Sequence, residues 1–387
     1  MKRKISVLFA ACCSLPLFSA GADVTVRLLS DMKVSAALIS VVSGKYELFA
    51  DGKILPKPDS VGIFQLQLVN DSIEVRMPDD TLGRFKTFHL IPKSHDAAFK
   101  LKPVTPLSGT RMYFGELKVS SASQVFVFVH ESDLEQYVAG VVESESGGYK
   151  VKEFYKVQAI LCRTYALNHL GRHSQEGFEL CDGVHCQVYR SRTISAVVQE
   201  AVLETHGLVL VDASLNLITA AFHSNCGGQT VSSEDLWTVA LPYLRSTPDS
   251  FCTTMSNARW RRKIATEDWL SYLGNKHKYP VNDSIARVQA LNFRQQARGV
   301  YYVDRSYRIP LRTLRSDWQL RSTFFSIEPQ KDSLLFTGRG WGHAVGLCQE
   351  GAIRMAKKGY DYQYILNYYY RNVSMVNMSR LDFFRED

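Results

Sequence analysis

The chain has 387 residues, 45% of them hydrophobic and 22% charged, which is globular composition and excludes disorder, a collagen repeat and a coiled coil. That length predicts two or three folded units. The formal net charge of +8 is spread along the chain without a Lys/Arg-rich window, so a nucleic-acid arm is excluded while an acidic polymer remains a compatible partner.

The first residues bear on compartment. Lys2, Arg3 and Lys4 precede an apolar run over 5–18, and Ala20-Gly21-Ala22 has the small-residue pattern of a cleavage site. A signal peptide over 1–22 and a mature chain starting at Asp23, in the periplasm or cell envelope, are expected; an uncleaved interfacial anchor is the alternative. No later segment reaches the roughly 18 apolar residues of a spanning helix. Six cysteines then remain: Cys162, Cys181, Cys186, Cys226, Cys252 and Cys348. They are too few for a disulfide scaffold in a chain this long, and in an oxidising compartment each must be paired, metal-bound or buried.

From 24 to about 130 the signals are those of strands. Asp51-Gly52 marks a hairpin turn, Phe64, Leu66 and Leu68 alternate with Gln65 and Gln67, and 125–129 is nearly continuously apolar. Asp133 and Gln136 then form a helix-start signal. The spacing predicts helices over 134–142 and 151–170, joined at Gly147-Gly148 and stopped at Gly171. A helix over 194–205, strands over 208–211 and 217–222, and helices over 346–358 and 362–370 complete the pattern. The fold class is α+β, with a β-rich region of unassigned role over 23–112 followed by a mixed α/β region over 113–387 containing a helix-lined cleft.

Six strings stand in order: DLEQYVAGVVESES (133–146), KVQAILCRTYAL (156–167), HCQVY (185–189), FHSNCGGQT (222–230), PYLRSTPD (242–249) and GRGWGHAVGLCQEGAIRMAKKG (338–359). Together they resemble the stage II sporulation protein D (SpoIID/LytB-type) family over roughly 113–370. The resemblance implies a lytic transglycosylase that cleaves peptidoglycan glycan strands to 1,6-anhydro-muramic acid ends, on peptide-stripped strands, in cell wall remodelling or septal division. Glu145 falls on the family's catalytic glutamate. One carboxyl suffices when the sugar's own 6-hydroxyl attacks C1, because the same group is acid first and base second, whereas ordinary glycosidases pair two. Ser146 and Gly147 depart from the family's Met and Pro. Glu143 stands where the family has alanine and is expected to face solvent.

Arg163 matches the family's ARTYAL segment, with Cys162 in place of alanine, and Lys156 lies on the same helical face. A cation touching Glu145 would oppose its acid role, so Arg163 is expected to meet a substrate carboxylate or sugar oxygen as a catalytic residue, beside Lys156. Gln187, Tyr189, Ser224, Gly227, Gly228 and Gln349 match family segments as cleft-lining residues. Trp341 and His343, among glycines, fit aromatic stacking and close backbone approach to a sugar. The glycine-rich string lacks the Lys-Ser/Thr of a phosphate loop.

His173, Cys181, His185 and Cys186 offer the ligand set of a closed tetrahedral zinc site, with His169 able to replace His173. A Cys181–Cys186 disulfide and free buried thiols are the alternatives. One structural Zn2+ is expected, and no cofactor for the chemistry. Expected partners are glycan strands, with a peptidoglycan amidase or division proteins, and no nucleic acid. Two other functions compete: a glycan-binding scaffold without turnover, and a peptide hydrolase using Cys226 as nucleophile with His343 or His223 as base.

Overall fold

Alternating side chains build the first layer. In a computed structural model, which describes residues 23–55, 62–237 and 239–381, Val24, Val26 and Leu28 of strand Asp23–Leu28 are buried while Thr25 and Arg27 are partly exposed. The expected signal peptide lies outside the described residues. A seven-stranded sheet runs in the spatial order Leu180–Cys181, Asp23–Leu28, Val125–Asp133, Glu116–Ala122, Phe88–Pro92, Tyr46–Ala50, Lys53–Ile54. A second, of six strands, has the order Arg111–Phe114, Ala98–Thr105, Ala36–Ser43, Ile63–Val69, Ser72–Arg76, Thr81–Phe85. Their inner faces meet through aromatic pairs, Phe64 with Phe88 at 5.8 Å and Tyr46 with Phe99 at 6.2 Å between ring centroids.

The strand-rich layer does not stop at 112. Strands Glu116–Ala122 and Val125–Asp133 sit inside the first sheet, because their alternating apolar residues Leu117, Val119, Phe126 and Phe128 are needed to cover its inner face. The same sheet takes in Leu180–Cys181, parallel to the first strand. Asp182, fully buried, then accepts from Leu29 N (2.7 Å), Ser30 N (3.0 Å) and Arg111 Nη1 (2.6 Å). This carboxylate ties the sandwich to the helical part, and one apolar core runs through both.

That part is led by α1 (Leu134–Ser146), α2 (Lys152–Asn168) and α3 (Ala196–Glu204), with helices Gln349–Lys357 and Tyr362–Tyr369 packed on α2. The Asp133 carboxylate caps α1 by accepting from Glu135 N and Gln136 N, and Gly147 at φ +62° ends it. Strand 208–211 forms as expected, but of 217–222 only the end does, as strand Phe222–His223. Here side chains take the backbone groups a neighbouring strand would have used: Tyr243 Oη accepts from Thr219 N and Tyr370 Oη donates to Ala221 O.

Between Cys252 and Trp341 the chain builds a second core that the sequence patterns did not reveal. Strands Arg259–Ala265, Ser333–Arg339 and Phe325–Gln330 form an antiparallel sheet, packed with Trp269, Tyr302, Phe325 and Phe336 around its own apolar centre.

Candidate active site

At its C-terminal end α1 presents three consecutive side chains to one irregular segment. Glu143 Oε2 accepts from Ile194 N (2.9 Å), Ser144 Oγ from Arg190 N (3.1 Å) and Glu145 Oε1 from Val188 N (2.8 Å). Glu143, which stands in place of the family's alanine, is partly exposed as expected but is not free in solvent: the 188–194 segment wraps the helix end and reaches both carboxylates.

Glu145 differs in what lies beyond its bond. Burial raises its carboxyl above the ordinary range, opposed by the Val188 N–H and the charge of Arg190. It lines two cavities of about 330 Å³ each. One is walled by Ser146, Tyr149, Phe154, Ser224, Gln349 and Ile353, the other by Tyr165, Val184, Val188, Phe222, Trp237 and His343. His343 also lines a third, of about 160 Å³, shared with Gln229 and with Arg298, Leu311 and Thr323 of the second core region. The three cavities thus follow one another through shared residues, Glu145 and then His343.

The structure brings Ser224 and Gln349 together with Glu145 in one cavity and His343 with Glu145 in the other. Gln349 Nε2 donates to Glu145 O (3.3 Å), and Asn257 Nδ2 donates to Ser224 Oγ (3.1 Å). His343 has both ring nitrogens engaged, Nε2 with Phe222 O at 2.9 Å and Nδ1 with Val345 N at 3.1 Å. Burial pulls its pKa down to about 4, so at neutral pH it is an uncharged wall. Trp237, Tyr165 and Val184 complete that wall and were missed; Val184, 90% exposed, is the one whose exposure marks a surface role.

Other expected positions are corrected. Arg163 is 0% exposed: its guanidinium is held bidentately by Glu135, with Nε to Oε1 at 2.7 Å, and Nη1 donates to Leu208 O at 2.9 Å. Lys156 is bound to Glu153 (2.8 Å) and Glu204 (2.6 Å). The cationic face of α2 turns to the carboxylates of α1 and α3 rather than to a cleft, because α2 packs against both. Gln187 and Tyr189 are buried in the same aromatic core, Gln187 accepting from Tyr137 Oη and Tyr189 packed on Tyr113 and Tyr137. Trp341 is exposed, stacked under Arg321, and is not among the residues lining these cavities. The glycines serve a protein contact: a Cβ on Gly227 would stand 2.7 Å from the Arg339 backbone, and one on Gly340 2.6 Å from Asn225 O, so strings 222–230 and 338–346 mesh backbone to backbone. Gly228, at φ +106°, belongs to the same turn. Cys226 is fully buried, with Sγ on Asp249 and Cys252, so it lacks both the histidine and the access a thiol nucleophile needs.

The expected zinc ligands converge. Cys181 Sγ lies 3.8 Å from His185 Nδ1, and Cys186 Sγ lies 3.7 Å from His185 Nδ1 and 3.6 Å from His173 Nε2. Zinc bonds of about 2.3 Å to sulfur and 2.0–2.1 Å to nitrogen in a tetrahedron give S···N separations of about 3.6 Å, so the donor set fits. Glu176 Oε1, 2.6 Å from His173 Nδ1, orients that ring. His169 is stacked on Tyr165 with Nδ1 on the Tyr165 carbonyl, outside the cluster.

Residues 122–211, the span holding α1 to α3, Glu145 and this cluster, match the family model described as Stage II sporulation protein, SpoIID. Over this span the chain is similar to the SpoIID family. It is 27% identical over 263 residues to Stage II sporulation protein D of Bacillus subtilis, covering 64% of this chain and 75% of that one. An uncharacterized protein of Brachyspira hyodysenteriae is 28% identical over 279 residues, 70% of this chain and 74% of its own length. The Amidase enhancer of Bacillus subtilis is 25% identical over 290 residues, of which this chain spans 40% of the length.

Proposed function

We propose that the protein is a lytic transglycosylase of the cell envelope, acting on peptidoglycan glycan strands with Glu145 as its acid and base. Similarity to the SpoIID family supports a cell-wall-related role. The observation that carries the finer reading is the position of Glu145: a carboxyl raised by burial, at the junction of two cavities that continue into a third. A chain of linked cavities suits a polymer of sugars, with the scissile bond at the junction.

In this mechanism the Glu145 carboxylic acid protonates the glycosidic oxygen as the C1–O bond breaks. The resulting carboxylate takes the proton of the muramic 6-hydroxyl while O6 bonds to C1, closing the anhydro ring and restoring the acid. The Val188 N–H, donating to Oε1, fixes the carboxyl and leaves Oε2 for proton transfer. Trp237, Tyr165 and the uncharged His343 supply an apolar wall for a sugar face. His173, Cys181, His185 and Cys186 would hold one structural zinc, a closed four-ligand site with no open position for water. It would brace the loop carrying Val184 and the Val188 donor. The relative named Amidase enhancer points to a peptidoglycan amidase as partner.

Mass spectrometry of peptide-stripped glycan strands after digestion tests the reading. Anhydro-muramic ends are expected. Reducing ends would make water the nucleophile, and binding without products would favour the scaffold function.

A further inference from the structure

A second group of ligand side chains lies in the core, away from the cluster already described. Cys226, Asp249, Cys252 and Cys348 are each 0% exposed and offer three sulfurs and a carboxylate oxygen within 4.8 Å of one another. They come from three separate strings: the turn 225–228, the Asp249–Cys252 turn and the start of helix Gln349–Lys357. Cys226 Sγ is 3.4 Å from Cys252 Sγ and 3.2 Å from Asp249 Oδ2. Around a zinc ion, bonds of about 2.3 Å to sulfur and 2.0 Å to oxygen place tetrahedral ligands about 3.8 Å (S···S) and 3.5 Å (S···O) apart, so a shift of a few tenths of an ångström suffices.

The surroundings are those of metal ligands. Cys348 Sγ accepts N–H bonds from Cys226 (3.3 Å) and Gly351 (3.4 Å), donors that stabilise sulfur carrying negative charge. Asp249 is oriented from behind, with Oδ1 accepting from Phe251 N (2.9 Å) and Cys252 N (3.3 Å) and Oδ2 from Tyr369 Oη (2.9 Å), which leaves Oδ2 aimed at the sulfurs. A buried carboxylate facing three thiols has no other cation on its oxygens among the described residues. Arg298, donating to the Cys226 carbonyl, adds a positive charge at the edge.

We infer that Cys226, Asp249, Cys252 and Cys348 form a second, closed structural Zn2+ site. Loading is ligand exchange without electron transfer: the thiol protons and the metal's waters leave to solvent while three Zn–S bonds and one Zn–O bond form. The metal clamps three segments beneath the cleft, since Cys348 also caps the helix whose first residue, Gln349, donates to the Glu145 carbonyl. The assignment stands whether or not zinc occupies the first cluster.

Elemental analysis of the purified chain, expressed with zinc, in three forms tests this. The Cys181→Ser/Cys186→Ser variant, lacking first-cluster thiols, is expected to keep one zinc per chain; X-ray absorption there should show three sulfurs and one oxygen. Adding Asp249→Asn should lower zinc affinity at least tenfold, while Asp249→Cys keeps the metal and, with Co2+ substituted, gains thiolate-to-metal charge-transfer intensity. If the two-serine variant does not fold, the wild type should hold two zinc ions and lose one in Asp249→Asn. A zinc-free two-serine variant that is folded, or peptide mapping that finds Cys226 and Cys252 joined as a disulfide, overturns the second site. A wild type that holds a single zinc, kept in the two-serine variant and lost in Asp249→Asn, would overturn the first assignment and leave this one.

Discussion

Of the three carboxylates on helix α1, Glu135 in its first turn and Glu145 in its last sit in opposite surroundings. Glu135 grips a buried guanidinium and also accepts from Gly207 N, so its charge is matched by a fixed cation. Glu145 has one backbone N–H and open cavity on two sides, so its burial falls on the charged form and raises its pKa. The same residue type on the same helix is a bolt at one end and, in the proposed mechanism, a proton carrier at the other. What decides is the partner that the fold delivers: α2 brings Arg163 into an ion pair with the first, and the 188–194 segment brings the second an N–H and the charge of Arg190 without an ion pair.

The largest effect expected from this contrast is on turnover. Glu145→Gln should cut glycan cleavage by roughly 10²- to 10⁴-fold with the fold intact, as loss of a single acid and base does. Glu143→Gln, which can still accept from Ile194 N, should stay within a few-fold of the parent. Equal rates for the two variants by product release would break the comparison. Next comes stability at the other end. Arg163→Ala or Glu135→Ala leaves a partner charge buried, a loss of roughly 3 to 5 kcal/mol by denaturant unfolding. The double change Glu135→Leu/Arg163→Met should recover most of it. A folded Arg163→Ala protein with parental stability and no activity would instead return Arg163 to the cleft.

A pH titration of stability sharpens the contrast further. His130, fully buried, has its pKa lowered to about 4 by burial, as does His343. The unfolded chain therefore binds more protons between pH 6.5 and about 4, and stability is lost as pH falls through that window, by about 1.4 kcal/mol per pH unit for each such histidine. Glu145 has the reverse sign: its raised pKa means that stability is lost as pH rises through its titration, so Glu145→Gln should be the more stable protein at neutral pH by thermal melting. A neutral-pH destabilisation by that change would contradict the burial argument. The smallest effect is at Trp341, where Trp341→Ala removes a solvent-exposed stack with Arg321 at a cost of about 0.5–1 kcal/mol and should leave cleavage unchanged.

How much of this was legible depended on whether the signal was local. The Asp133 cap, the glycine stop at 147 and the alternation of the first strands are written in neighbouring residues, and the elements formed there. The resemblance pointed to Glu145, and the His and Cys residue types pointed to the first cluster, whose spacing within 173–186 is short enough for one loop to gather it. Arg163 and Lys156 were misread because a helical face says which residues point together and not what they point at. Glu135, whose pairing with Arg163 spans two helices, carried no sequence signal. The second core over 259–339 was invisible for a similar reason: Trp269, Tyr302 and Phe336 meet only after the chain has folded back on itself. Cys226, Asp249, Cys252 and Cys348 are likewise assembled from distant strings.

The strand Asp23–Leu28 lies between two neighbours that come much later in the chain, Val125–Asp133 on one side and Leu180–Cys181 on the other. One hydrogen-bonding edge therefore waits for the last strand of the sandwich, and the other stays open through the first two helices as well. Such non-local pairing is slow to close, since the entropy of a long loop is lost before the contacts form. A chain halted before 180 would keep one edge of the seven-stranded sheet uncovered, and would lack the Asp182 carboxylate that gathers Leu29, Ser30 and Arg111. The last step in completing the β layer is thus made by the loop that holds the first thiol-imidazole cluster, so the order of assembly makes the sandwich wait for the region that carries the site.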